Sequence, residues 1–153
     1  SESRMDVAKA LAKKIVDLFY MDSTDVAARF SVVSFNETAT LREPWSTDDG
    51  DIDAAIDAIS PDGMTSISAG LNLTQELFDD ARDTATKVVL LLSDGTQNDH
   101  LGGSAAAIAA AQDLRTVTEK VFAWGFGSKI DSDTLEAIAG DDSRVRYADD
   151  VSE

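Results

Sequence analysis

Cysteine is absent from this chain of 153 residues, so no disulfide framework exists and thiolate metal sites are excluded. The redox compartment therefore stays open. Histidine occurs once, at His100 in a polar loop, which leaves no credible Ser-His-Asp set for nucleophilic catalysis. No stretch reaches the roughly 20 apolar residues of a membrane span. Basic residues are scarce: 13 Lys plus Arg stand against 29 Asp plus Glu, a formal net charge of −16. Such a surface repels phosphate backbones and anionic lipid alike, so neither nucleic acid nor membrane insertion is expected. Cations are attracted to it, which favours a metal site without locating one.

The length is that of one domain, and a 43% hydrophobic content is enough to bury a sizeable core. Two periodicities alternate along it. Met5, Ala8, Leu11, Ala12, Ile15, Leu18 and Phe19 recur at helical spacing. Phe30 to Phe35 reads as a strand, and after the turn at Asn36 a short antiparallel strand is expected over Ala39 to Leu41. Ile52, Ala55, Ile56 and Ile59 make a second helical stripe opened by Thr47 or Asp48, and Pro61-Asp-Gly63 breaks it. A third helix carries Ile67, Leu71, Leu77 and Phe78. Lys87 to Leu92 is apolar on both faces, as expected of a strand covered by helices on both sides. The Ala-rich stretch from Ser104 to Glu119 predicts a helix, Val121 to Trp124 a strand closed by Gly125-Phe-Gly127. Asp131 or Ser132 caps a short helix ended by Gly140, and Val145 to Tyr147 makes a last strand. The alternation predicts an α/β fold, a Rossmann-like three-layer α/β/α sandwich with a mainly parallel sheet and one antiparallel edge strand. Functional sites of such sheets lie beyond the carboxyl ends of the strands.

Two loops at that edge carry the chemistry. In Asp62-Gly-Met-Thr-Ser-Ile-Ser-Ala-Gly-Leu71 a turn delivers Thr65 at the mouth of a helix; in Leu90-Leu-Leu-Ser-Asp-Gly-Thr-Gln-Asn-Asp99, Asp94 emerges from a buried strand. A hydroxyl and a carboxylate are hard oxygen ligands suited to Mg²⁺, Mn²⁺ or Ca²⁺. On residue type alone, Thr65 reads sooner as a helix cap and Asp94 as a turn former than as metal ligands.

Phe30-Ser-Val-Val-Ser-Phe35, Gly63-Met-Thr-Ser-Ile-Ser-Ala-Gly70, Leu91-Leu-Ser-Asp-Gly95 and Val121-Phe-Ala-Trp-Gly-Phe-Gly127 stand in the order and spacing of one family. The chain resembles the von Willebrand factor type A domain over nearly its whole length. The resemblance implies a non-enzymatic module that binds a protein ligand through a metal-ion-dependent adhesion site. Thr65 matches the second-loop threonine of that site and Asp94 the third-loop aspartate. A divalent cation, Mg²⁺ or else Mn²⁺ or Ca²⁺, is implied as the bridge to an acidic side chain of the ligand. An extracellular or cell-surface setting is expected; the alternative is a cytoplasmic subunit of an ATP-driven remodelling or metal-chelatase complex.

The first loop departs from the family pattern. Its Asp-x-Ser-x-Ser is incomplete, and Ser1-Glu-Ser3 reads either as its tail or as the linker beyond it. Residues 1–153 are thus expected to be a single domain truncated at both ends, without the first strand and the last helix. In the family that strand lies between the strand holding Phe30 to Phe35 and the one holding Lys87 to Leu92. Its absence would leave buried backbone groups unpaired, at on the order of 1–3 kcal/mol each. A complementing segment is expected to supply it.

Enzyme readings fail on particular residues. Leu91-Leu-Ser-Asp-Gly-Thr96 superficially resembles a haloacid-dehalogenase loop, yet Leu92 stands where the nucleophile belongs. A flavodoxin-like site lacks its early phosphate loop, and Gly125-Phe-Gly127 lacks the third glycine of a dinucleotide fingerprint.

Overall fold

The computed structural model describes residues 4–22, 28–60, 63–93, 95–126 and 130–148. Helix α1 (Arg4–Asp22) takes in the first apolar stripe. Strand β1 is Phe30–Phe35, and β2 runs over Ala39–Ser46, further than expected. Their antiparallel ladder extends from Phe35↔Ala39 to Phe30↔Ser46, with irregular register on either side of Val32. Bulges on an edge strand are where Pro44, which has no N–H to donate, is tolerated.

Helix α2 (Asp49–Asp57) starts at Asp48, whose carboxylate accepts the Asp51 N–H at 3.0 Å. Helix α3 is Ile67–Leu77, β3 is Val88–Ser93 and α4 is Gly103–Leu114. The expectation that α4 reaches Glu119 is overturned. Thr116, Val117 and Thr118 are β-branched, and the two threonine hydroxyls donate to the carbonyls of Asp113 (2.6 Å) and Leu114 (3.1 Å). Those bonds occupy carbonyls at the helix end, and Glu119 N–H goes to the Lys87 carbonyl at 2.9 Å, opening the sheet.

Strand β4 (Lys120–Phe126) continues through Gly125 instead of closing there. A Cβ on Gly125 would lie 2.7 Å from Leu135 Cδ1, so glycine lets helix α5 (Ser132–Ala139) approach the strand. Asp131 caps α5 through the Thr134 N–H (3.1 Å) and hydroxyl (2.7 Å). Strand β5 is Val145–Ala148.

Strands β3, β4 and β5 form a parallel sheet in that order, and β1 and β2 form a separate antiparallel pair. The chain is a mixed α/β fold, as expected. Among the described residues β1 and β3 do not share a sheet. The buried core is divided likewise. Ile67, Leu71, Leu91, Leu114, Val121 and Leu135 belong to a large cluster under α3, α4 and α5, while Val16, Ile52 and Ile56 form a small one under α1 and α2. The expectation that β3 is covered on both faces is therefore corrected. Leu91 is 5% exposed, but Leu90 and Leu92 are half-buried and Val88 is 44% exposed. Helix α1 packs on α2 instead, through Val16 and Ala12; Val16 lies outside the expected apolar stripe, and Leu18, within it, is 53% exposed.

The α1–α2 seam carries a mispaired charge. Lys13 Nζ is bonded to Asp57 Oδ1 at 2.8 Å, while Asp53 Oδ1 is buried with no hydrogen-bond partner among the described residues. Burial, and then the charge of Asp17, push the Asp53 carboxyl above its ordinary pKa. A carboxyl that binds its proton more tightly folded than unfolded weakens the fold at neutral pH, and this loss fades as pH falls through the folded pKa. Asp53→Ala is therefore expected to stabilise the protein at pH 7 by about 1 kcal/mol, raising Tm by roughly 2–4 °C. The gain should shrink towards pH 4 in a melting series; a gain that grows on acidification would contradict the assignment.

Candidate functional site

The mouth of α3 is built by a turn and a cap. Gly63 takes φ +71° beside the Asn36 side chain, and Met64 stands 38% exposed at the rim. Ser66 then caps the helix, its hydroxyl accepting the Ala69 N–H at 3.3 Å. Helix capping thus falls to Ser66 and not to Thr65, which removes that alternative for the threonine.

Thr65 is half-buried and held by its main chain. Its N–H donates to Asn98 Oδ1 at 2.7 Å, and its carbonyl accepts the Asn98 N–H at 3.1 Å. One residue on, Ser66 N–H donates to the Asn36 carbonyl at 2.6 Å. Gln97, only 6% exposed, fastens the next turn: Oε1 accepts the Ser68 N–H at 2.8 Å, and Nε2 donates to Ser68 Oγ at 3.0 Å and to the Leu101 carbonyl at 2.7 Å. That amide has a single consistent orientation, because an N–H must meet its oxygen and a carbonyl its NH₂. The exit of β1, the mouth of α3 and the loop after β3 thereby meet at the carboxyl edge of the strands.

Asp94 itself lies outside the described residues, as do Ser1 and Ser3. Its neighbours are placed. Ser93 ends β3, and its hydroxyl accepts the Gly95 N–H at 3.1 Å. Gly95 has φ +85°, and a Cβ there would lie 2.8 Å from the Asp131 carbonyl oxygen and 2.9 Å from Leu135 Cγ. A side chain is excluded on both counts, so Gly95 is seated against the start of α5.

Thr65, Thr96, Gln97, Asn98 and Asp99 line an open cleft of about 410 Å³. Every one of them carries a side-chain oxygen, but those of Asn98 and Gln97 already accept the Thr65 and Ser68 N–H groups. The hydroxyls of Thr65 and Thr96 and the carboxylate of Asp99 are of the donor type that hard divalent cations accept. Among the described residues no three His, Cys, Asp or Glu side chains gather where they could hold a metal ion. Among the described residues the lining offers hydroxyl oxygens and the single carboxylate of Asp99. Such a donor set suits an ion that keeps several of its waters. His100 stands exposed in the short 3-10 turn beyond Asp99, a solvated loop residue as its context indicated. Gln97 and Ser66 carry roles that residue spacing did not reveal.

The model of the von Willebrand factor type A domain matches residues 1–153, and the chain belongs to that family. Among solved structures it is similar to proximal thread matrix protein 1 from the mussel byssus, with zinc occupying its metal-ion-dependent adhesion site. Identity is 31% and the TM-score 0.80, over 96% of this chain and 37% of that one. It is also similar to the conserved hypothetical protein BatB of Bacteroides thetaiotaomicron, at 19% identity and TM-score 0.74 over 98% of this chain and 82% of that one. The pilus adhesin SpaC of Lactobacillus rhamnosus GG shares the fold at 10% identity and TM-score 0.81, over 97% of this chain and 26% of that one. This chain thus spans most of one relative and well under half of the other two. No curated protein sequence matches it. Among the described residues no helix is long and apolar enough to cross a membrane.

Proposed function

We propose that the chain is the ligand-binding part of a metal-ion-dependent adhesion or interaction module rather than an enzyme. One observation carries the reading: the Thr65 loop and the loop that follows Asp94 are hydrogen-bonded to each other at the carboxyl edge of the strands. Thr65 and Asp94 would hold the cation, Mg²⁺ or else Mn²⁺ or Ca²⁺, directly or through its waters. When bound, the ion supplies an open coordination position for a carboxylate of a protein ligand. The chain's own residues orient that exchange, and they keep the ion from drifting into the general cation atmosphere of a −16 surface. Metal in the corresponding motif of the mussel protein supports the cation, and that relative's place in the byssus supports an extracellular or cell-surface setting.

Thr65→Ala and Asp94→Ala are each expected to weaken Mn²⁺ binding at least tenfold, about 1.4 kcal/mol, without lowering Tm by more than a few degrees. Titration in 150 mM salt suppresses the diffuse surface term, and Asp79→Asn, in the short 3-10 turn that follows the C-terminal end of α3, serves as the acidic control. Parent-like binding by both variants would refute the cation role.

The gap in the sheet adds a partner to this reading. Among the described residues β1 pairs only with β2 and β3 only with β4, and the buried residues fall into two clusters. We propose that an extended apolar segment of about six residues, parallel to both strands, fills that slot and joins the two clusters. A Val/Ile-rich strand tethered before Ser1 by a short flexible linker should raise Tm and protect gap-facing β1 and β3 amides from hydrogen exchange. Unchanged Tm and exchange would rule the slot out.

A further inference from the structure

Gln97 and Asn98 follow Asp94 by a few residues, yet Gln97 is buried and Asn98 is half-buried at the wall of the cleft. Each turns back onto the α3 mouth. Asn98 accepts the Thr65 N–H at 2.7 Å, and Gln97 accepts the Ser68 N–H at 2.8 Å. These two N–H groups flank Ser66, which caps α3 and is itself tied to the Asn36 carbonyl. A helix mouth ordinarily leaves its first amides to water or to its own cap. Here side chains from the opposite loop take two amides of this region, and Gln97 Nε2 carries the connection on to the Leu101 carbonyl ahead of α4.

We infer that Gln97 and Asn98 are positioning residues that lock the Thr65 loop to the Asp94 loop, so that the cation meets a preformed edge instead of two independent loops. The inference rests on the cation reading above and deepens it, because it assigns to two uncharged amides the spacing between the threonine and the aspartate. Three features support it together. The bonds are reciprocal at Thr65, where side chain and main chain of Asn98 bond the same residue. Gln97 is nearly fully buried with both ends of its amide satisfied, the arrangement in which a side-chain hydrogen bond is held most rigidly. Gly95, between Asp94 and Gln97, admits no side chain against α5, so the same stretch of loop is closely packed on its α5 side too.

Amide hydrogen exchange and Mn²⁺ titration on the whole chain test this as a pair. Asn98→Ala is expected to speed exchange of the Thr65 amide at least tenfold and to weaken Mn²⁺ binding severalfold, with the Tm change small. Asn98→Asp keeps an acceptor for the Thr65 N–H and should restore its protection. Gln97→Met should do to the Ser68 amide what Asn98→Ala does to that of Thr65. Parent-like exchange in Asn98→Ala overturns the lock itself. Faster exchange with unchanged Mn²⁺ affinity overturns the positioning role and leaves the cation reading standing. A parent protein whose Mn²⁺ binding is insensitive to Thr65→Ala removes the cation reading, and with it the positioning role, whatever the exchange rates show.

Discussion

A reciprocal pair of hydrogen bonds between Thr65 and Asn98, residues 33 apart in sequence, holds the functional edge together. Without it the mouth of α3 and the loop after β3 would be neighbours with independent motions, and a donor set spread over both would have no fixed spacing. Each such bond contributes only about 1 kcal/mol, but losing its acceptor leaves a partly buried N–H unsatisfied, which costs more. The lock is therefore geometric first and energetic second. Its anchors on either side are a serine cap on α3 and a glycine pressed against α5.

The sheet beneath that edge is in two parts, and the same division runs through the core. The parallel sheet of β3, β4 and β5 is packed by α3, α4 and α5 into one cluster, which Phe35 and Trp45 also touch; α1, α2 and the Phe30–Val32 end of β1 share another. Polar and apolar contacts both span the division: the Asn36–Ser66 bond, the packing of Phe35 against Gly70, where a Cβ would come within 2.7 Å of the ring, and Trp45, which stacks at a tilt on Phe78 and donates to the Leu77 carbonyl at 2.9 Å. That places the candidate site at the seam between the two halves. A strand inserted between β1 and β3 would then stabilise the fold and fix the site at once.

Much of this was legible in the residues, for physical reasons that differ from place to place. β1 stands where its apolar run put it, and α5 has the Gly140 stop expected of it and, of the two caps its sequence offered, Asp131. Local hydrogen bonds of that kind depend on residues three or four apart. The end of α4 was not legible, because Ala-rich periodicity masked the β-branched Thr116 to Thr118 that turn the chain. Ser66 and Thr65 are both good caps, and only the start of α3 at Ile67 selects the serine. Gln97 and Asn98 were beyond reach for a plainer reason. Their partners lie 29 and 33 residues away, and a polar loop looks the same whether its amides face water or another loop. Thr65 was found through the family resemblance; its placement in an oxygen-lined cleft is what the geometry adds.

The central claim is that a cation sits where those two loops meet. A crystal of this chain grown or soaked with MnCl₂ and measured at the manganese absorption edge locates the ion without reference to any ligand. The account predicts one strong anomalous peak within direct or single-water reach of Thr65 Oγ1 and the Asp94 carboxylate, with metal–oxygen distances a little above 2 Å where contact is direct. Peaks confined to other acidic surfaces of the chain, with none at that edge, would contradict it.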